Sequence, residues 1–147
     1  MHPDSRNDSL FAYLGIGENA TSILPASSTA DPYMGCGCHP DTVARVWDTL
    51  GKGLPPESKC VAGGRPALVN PASGVVIAIA IGTQYCLRLP APLVASAMEA
   101  GAKTTTKWSG GTVLDVSQTF GDGWVFGAWL AQEPAWCAEA FKEFATP

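Results

Sequence analysis

The sequence predicts an α+β fold, an antiparallel sheet of about five strands with helices packed against it, and three features carry the prediction. Residues 63–89, GGRPALVNPASGVVIAIAIGTQYCLRL, read as three consecutive strands joined by short turns. Runs with helical spacing begin at Pro40, after Pro90 and at Pro134. Two more strand-like runs, 112–116 and 124–129, lie between the last two helices. The predicted order is α-βββ-α-ββ-α: a three-stranded meander plus a two-stranded pair, with helices set against them.

Residues 1–34 are rich in Ser, Thr, Ala, Asn and Asp, with short apolar islands at 10–14 and 23–24, and are expected to form a weakly structured N-terminal arm. The single α+β domain is expected over 35–147. His39-Pro40-Asp41-Thr42 opens its first helix, with Pro40 in the first turn and Asp41 at the positive end of the helix dipole. Val43, Val46, Trp47 and Leu50 make its apolar stripe, Gly51 stops it, and Asp41 is spaced to pair with Arg45 one turn on. Residues 51–60, GKGLPPESKC, read as a loop.

The meander starts with a short strand, Pro66 to Val69, which is expected to lie at a sheet edge or to begin at Pro66, because proline has no N–H to donate. Asn70 to Gly74 is a turn. Val75 to Ile81 is apolar throughout and mostly β-branched, so it is a buried strand. Strict alternation puts Val75, Ile77, Ile79 and Ile81 on one face and Ala78 and Ala80 on the other. Gly82-Thr83 has the form of a type II′ hairpin turn. Gln84 to Leu89 returns with Tyr85, Leu87 and Leu89 inward. A helix follows to about Ala100, then a polar connection, the strands at 112–116 and 124–129, and a closing helix whose buried face holds Trp136, Cys137, Ala140, Phe141 and Phe144.

The composition narrows the function classes. The chain has 147 residues, is 46% hydrophobic and only 15% charged, and carries five Trp. A surface so poor in charge is expected to be covered by a partner, most simply a second copy, giving a homo-oligomer and in the simplest case a dimer. A net charge of −4 with scattered basic residues argues against nucleic acid. No stretch reaches the ~20 apolar residues of a membrane span. The N-terminus lacks the apolar segment of a secretory signal, and the five cysteines are odd in number, so a reducing, cytoplasmic setting is expected.

Three groups of residues offer chemistry. Cys36-Gly37-Cys38-His39, with Cys60 as a fourth ligand, has the soft donors that zinc or copper takes. The C-x-C spacing is tighter than that of structural zinc sites, and the same thiols beside a helix start suit redox chemistry. Arg65 and Arg88 are candidate clamps for an anionic ligand. Trp108, Trp124 and Trp129 are candidate walls of a pocket or an interface; strand parity sets Trp124 and Trp129 on opposite faces, which puts an aromatic on the outside. No catalytic residues and no cofactor are expected from the sequence, zinc or copper being the alternative.

Gly64, Pro66, Leu68, Val75 to Ile81, Tyr85 to Leu89 and Ala100 to Ala102, in this order of elements, resemble the TfoX N-terminal domain over residues 40–146. The GRPALVNP, YCLRLP and WVFGAW phrases are also similar to those of a group of uncharacterised bacterial proteins, a likeness that implies no activity. The TfoX resemblance implies competence regulation and protein interaction rather than catalysis. The MFGG entrance usual in that fold is VAGGRPAL here, so no functional residue is carried across. The leading expectation is a non-enzymatic, self-associating interaction or regulatory domain. A metal or thiol-redox protein and a small-molecule binder or enzyme with an aromatic-lined pocket are the alternatives.

Overall fold

The computed structural model describes residues 4–14, 22–28, 38–107, 111 and 113–146. They form an α+β fold whose main sheet has six antiparallel strands in the order β1-β2-β3-β4-β5-β8. These are β1 (Ile23–Pro25), β2 (Lys59–Ala62), β3 (Arg65–Val69), β4 (Val76–Ile81), β5 (Gln84–Arg88) and β8 (Trp124–Phe126). Two further strands, β6 (Thr105–Lys107) and β7 (Val113–Asp115), pair only with each other. The helices are α1 (Asp8–Leu14), α2 (Pro40–Ala44), α3 (Ala91–Glu99), α4 (Val116–Thr119) and α5 (Glu133–Glu143).

The predicted meander is β3-β4-β5, and two strands the sequence reading did not contain extend it. Gly63 and Gly64, at φ +56° and +82°, close a two-residue hairpin between β2 and β3, and Ala62 pairs with Arg65 across it. β2 therefore takes up Lys59 and Cys60 from the expected 51–60 loop. Pro66 lies opposite Val61 in an internal strand and not at the edge, but it is the second residue of β3, so the alternative of a proline at the strand's beginning agrees with the structure. β1 then adds to β2, with Leu24 opposite Val61. Residues read as part of a weakly structured arm thus supply the outermost strand and α1. The expected pair of 112–116 with 124–129 does not form. The threonine-rich connection provides β6 for β7, α4 reverses the chain, and β8 joins the main sheet beside β5, with Trp124 opposite Arg88.

Strict alternation along β4 fails at one point. Ala67 faces Ile79 and Leu68 faces Ala78, but Val69 faces Val76, leaving Ile77 as the extra residue of a β-bulge. The bulge puts Ile77 on the same side as Ala78 and Ala80, while Val76, Ile79 and Ile81 face the other way. Each side of the sheet thereby receives bulky residues, and each is covered. One layer packs α2 with its continuation Arg45–Leu50, α3 and α5 through Val46, Trp47, Ala97, Cys137 and Ala140 onto Leu68, Ile77, Tyr85 and Leu87. The other packs α1 and α4 through Leu10, Phe11, Val116 and Phe120 onto Val69, Ile79, Cys86 and Trp124. Asn7 locks α1 down: its Nδ2 donates to Gly74 O at 2.7 Å and its Oδ1 accepts from Val76 N at 2.9 Å, both buried.

The β4–β5 turn matches expectation. Gly82 sits at φ +61° and Thr83 stays at negative φ, the pattern of a type II′ turn. His39 N donates to Gly82 O, which anchors the start of α2 to this hairpin. Among the described residues, no helix is long and apolar enough to cross a membrane.

Candidate functional site

The most concentrated polar chemistry lies where α2 meets the start of β5. Beyond Ala44 the helix widens into a π-helix, Arg45–Leu50, a form found mostly at functional or strained positions. Arg45 was spaced to pair with Asp41, but its side chain turns inward instead. Its Nη2 donates to Glu133 Oε1 at 2.9 Å and to Leu130 O at 2.7 Å, and its Nε donates to the Tyr85 hydroxyl at 3.3 Å. Asp41 is left at the surface, 3.9 Å from His39 Nδ1.

Glu133, the first residue of α5, is 1% exposed, and every oxygen it carries is used. Tyr85 Oη donates to Oε1, which Arg45 also reaches, and Oε2 accepts from Ala128 N at 2.8 Å. Tyr85 Oη in turn accepts from Trp129 N at 2.8 Å. Burial and the Glu133 carboxylate push the Tyr85 phenol well above its ordinary range, so it stays a hydroxyl and a donor. Burial acts to lower the Arg45 value, but the hydrogen bonds to Glu133 and Tyr85 outweigh it, and the guanidinium is held charged. A buried ion pair of this kind is stable because its remaining donors and acceptors are satisfied.

The network fixes the loop that follows β8. Gly127 N donates to Tyr85 O at 2.7 Å, and a Cβ on Gly127 would lie 1.9 Å from Tyr85 Cε2, so only glycine fits there. Trp129 takes φ +58°, the left-handed region that bulky side chains avoid at a cost of about 1 kcal/mol or more. The residue nonetheless stays 54% exposed, its ring edge-on to Tyr85 at 5.2 Å and 5.5 Å from the Arg45 guanidinium. A strained backbone, a π-helix and a buried ion pair thus converge on one outward-facing tryptophan. These polar groups are engaged with one another, and together they hold the loop that carries Trp129.

Among the described residues, those singled out in the sequence do not come together. Cys36 and Trp108 lie outside the described residues. Cys38 is buried in the layer of α2, its Sγ directed at Ala80 O, and His39 caps α2 through Nδ1, which accepts from Asp41 N at 3.1 Å. Cys60 lies in the other layer, so the sheet separates it from Cys38. Among the described residues no three His, Cys, Asp or Glu stand where they could hold a metal ion. Arg65 begins β3 at the hairpin end of the meander, while Arg88 ends β5 at the opposite end. Trp124, opposite Arg88 in β8, is buried in the layer of α1 and α4, packed edge-on against Phe120. Of the three tryptophans, Trp129 alone among those described presents its ring to solvent.

Tyr85, Arg45 and Glu133 were not recognised as a unit in the sequence. Glu133 immediately before Pro134 reads as a helix start, and a sequence separation of 88 from Arg45 hides their pairing. Comparison with family models, with curated proteins and with solved structures gives no match for this chain.

Proposed function

We propose that this chain is a non-enzymatic interaction domain that self-associates through the surface carrying Trp129. The observation that carries the reading is the pre-organisation of that side chain. Trp and Arg are the residues that most often dominate binding energy at interfaces, and a ring held in one place loses little entropy on contact. Trp129 stands half out of the surface beside Arg45, on a backbone held by Tyr85 and Glu133. A second copy is the simplest occupant, because a two-fold axis sets the same aromatic patch against itself. The charge-poor composition supports a covered surface, as do the exposed Val113, Met98 and Tyr13 elsewhere on the chain.

The protein-interaction class agrees with what the TfoX resemblance implies. A reducing, cytoplasmic setting fits the free thiols of Cys38, Cys60, Cys86 and Cys137. Sedimentation velocity across micromolar concentrations tests the reading, with Trp129→Gly as the control. Glycine accepts the left-handed backbone, so the variant loses the ring without new strain. The wild type should sediment as a dimer and Trp129→Gly as a folded monomer. A wild type that stays monomeric throughout, or a variant that dimerises equally well, overturns the proposal.

A further inference from the structure

Arg88, at the far end of β5 from the Trp129 cluster, touches no carboxylate among the described residues, although Asp4 and Asp122 lie near enough to favour its charge. Its Nη1 donates to Arg6 O at 2.8 Å, and its guanidinium carbon lies 5.2 Å from the centre of the Phe144 ring. Its Nε is buried with no hydrogen-bond partner, and Arg88 makes no ion pair among the described residues. Arg6, the nearest other cation, is already held by Asp4 at 2.9 Å. A half-buried guanidinium normally finds a carboxylate or phosphate for its planar donors.

Arg88 borders a cavity of about 400 Å³, a size suited to a small molecule. Leu89, Val94 and Phe144 supply apolar wall. Ala91 lines it too, as the first residue of α3, a nine-residue helix whose N-cap, Pro90, offers no capping side chain. Pro92 has no N–H, and Leu93 N and Val94 N both donate to Pro90 O, so the helix start contributes the positive end of its dipole and not a set of free donors. Asp122 and Glu143 stand at the rim, both exposed and neither engaged in an ion pair among the described residues. Two carboxylates beside one guanidinium disfavour a dianion such as phosphate and favour a ligand that brings its own positive charge.

We propose that this cavity binds a small zwitterion, an α-amino acid with an apolar side chain. Its carboxylate pairs with Arg88 at the start of α3, its ammonium faces Asp122 and Glu143, and its side chain lies against Val94 and Phe144. Nothing in this assignment depends on Trp129 or on self-association.

Isothermal titration calorimetry on the full chain tests it with four probes: L-leucine, 4-methylpentanoate (no amine), 3-methylbutylamine (no carboxylate) and inorganic phosphate. Leucine should bind with Kd near or below about 1 mM, and each of the other probes at least about tenfold more weakly. Arg88→Met should abolish leucine binding. The exposed rim pair Asp122→Asn with Glu143→Gln should weaken leucine about tenfold while leaving 4-methylpentanoate unchanged or tighter. This second variant decides the matter if Arg88→Met fails to fold. No heat with leucine at tens of millimolar, unchanged binding in either variant, or 4-methylpentanoate binding as tightly as leucine overturns the assignment.

Discussion

Arg45 reaches β5 at its start through Tyr85, and Arg88 closes the same strand at its other end. Both guanidiniums are partly withdrawn from water and both lie against aromatic rings. They differ in what surrounds them. Arg45 has a carboxylate, a carbonyl and a hydroxyl around it, while Arg88 has one carbonyl and a buried Nε with nothing to bond. The first arrangement is closed and holds a loop in place. The second is open on a cavity. A buried charge is informative only together with an account of what satisfies it.

Removing the two cations should separate these cases most sharply. Arg45→Met leaves the buried Glu133 carboxylate without its cation, and should cost about 3 kcal/mol in urea denaturation. A loss under about 1 kcal/mol would mean that the pair contributes little, and the comparison would break. Tyr85→Phe comes next. It removes the donor to Glu133 and leaves Trp129 N without an acceptor, at a cost of about 1–2 kcal/mol. Proteolysis within residues 127–132 should rise at the same time, because the hydroxyl ties that loop to the sheet. If protection is unchanged in Tyr85→Phe, the loop is held by packing alone.

Arg88→Met should move stability by less than about 1 kcal/mol. No carboxylate is orphaned, and the unpartnered Nε disappears with the side chain. A large loss there would make Arg88 a structural clamp on the Arg6 carbonyl and would erase its contrast with Arg45.

The smallest effect concerns alkaline pH and samples both layers of the sheet. Burial pushes the Cys60 thiol up from 9.0 to about 11. In the other layer, burial and Glu133 push Cys137 up to about 12. Above pH 9 the unfolded chain releases these protons and the folded chain keeps them. The stabilisation is therefore complete below the unfolded value and is lost as pH rises towards the folded ones. Denaturation midpoints should fall between pH 9 and 11, and less steeply in Cys60→Ala, which lacks one of the titrating groups. A slope identical in the variant would assign the alkaline loss to other groups.

The meander was legible because its signals are local: a β-branched run, a Gly-first turn, and alternation in the return strand. The flanking strands were not. β2 depends on a Gly-Gly hairpin that reads equally well as an open loop, and β1 is three residues that become a strand by pairing with β2. The bulge at Ile77 shows the same limit inside the most readable strand. Nothing in Val75 to Ile81 marks where alternation slips, because the slip is set by the register against Leu68 and Val69.

Local sequence therefore determined the α+β class, the meander, the helices that begin at Pro40, after Pro90 and beside Pro134, and the outward aromatic, since period, turn chemistry and capping act over a few residues. Tertiary structure decided which aromatic faces out, which cysteines share a layer, and which arginine is neutralised. Arg45 and Glu133 are far apart in sequence and 2.9 Å apart in space. Which of several carboxylates a cation meets depends on how the layers stack, and no local pattern encodes that.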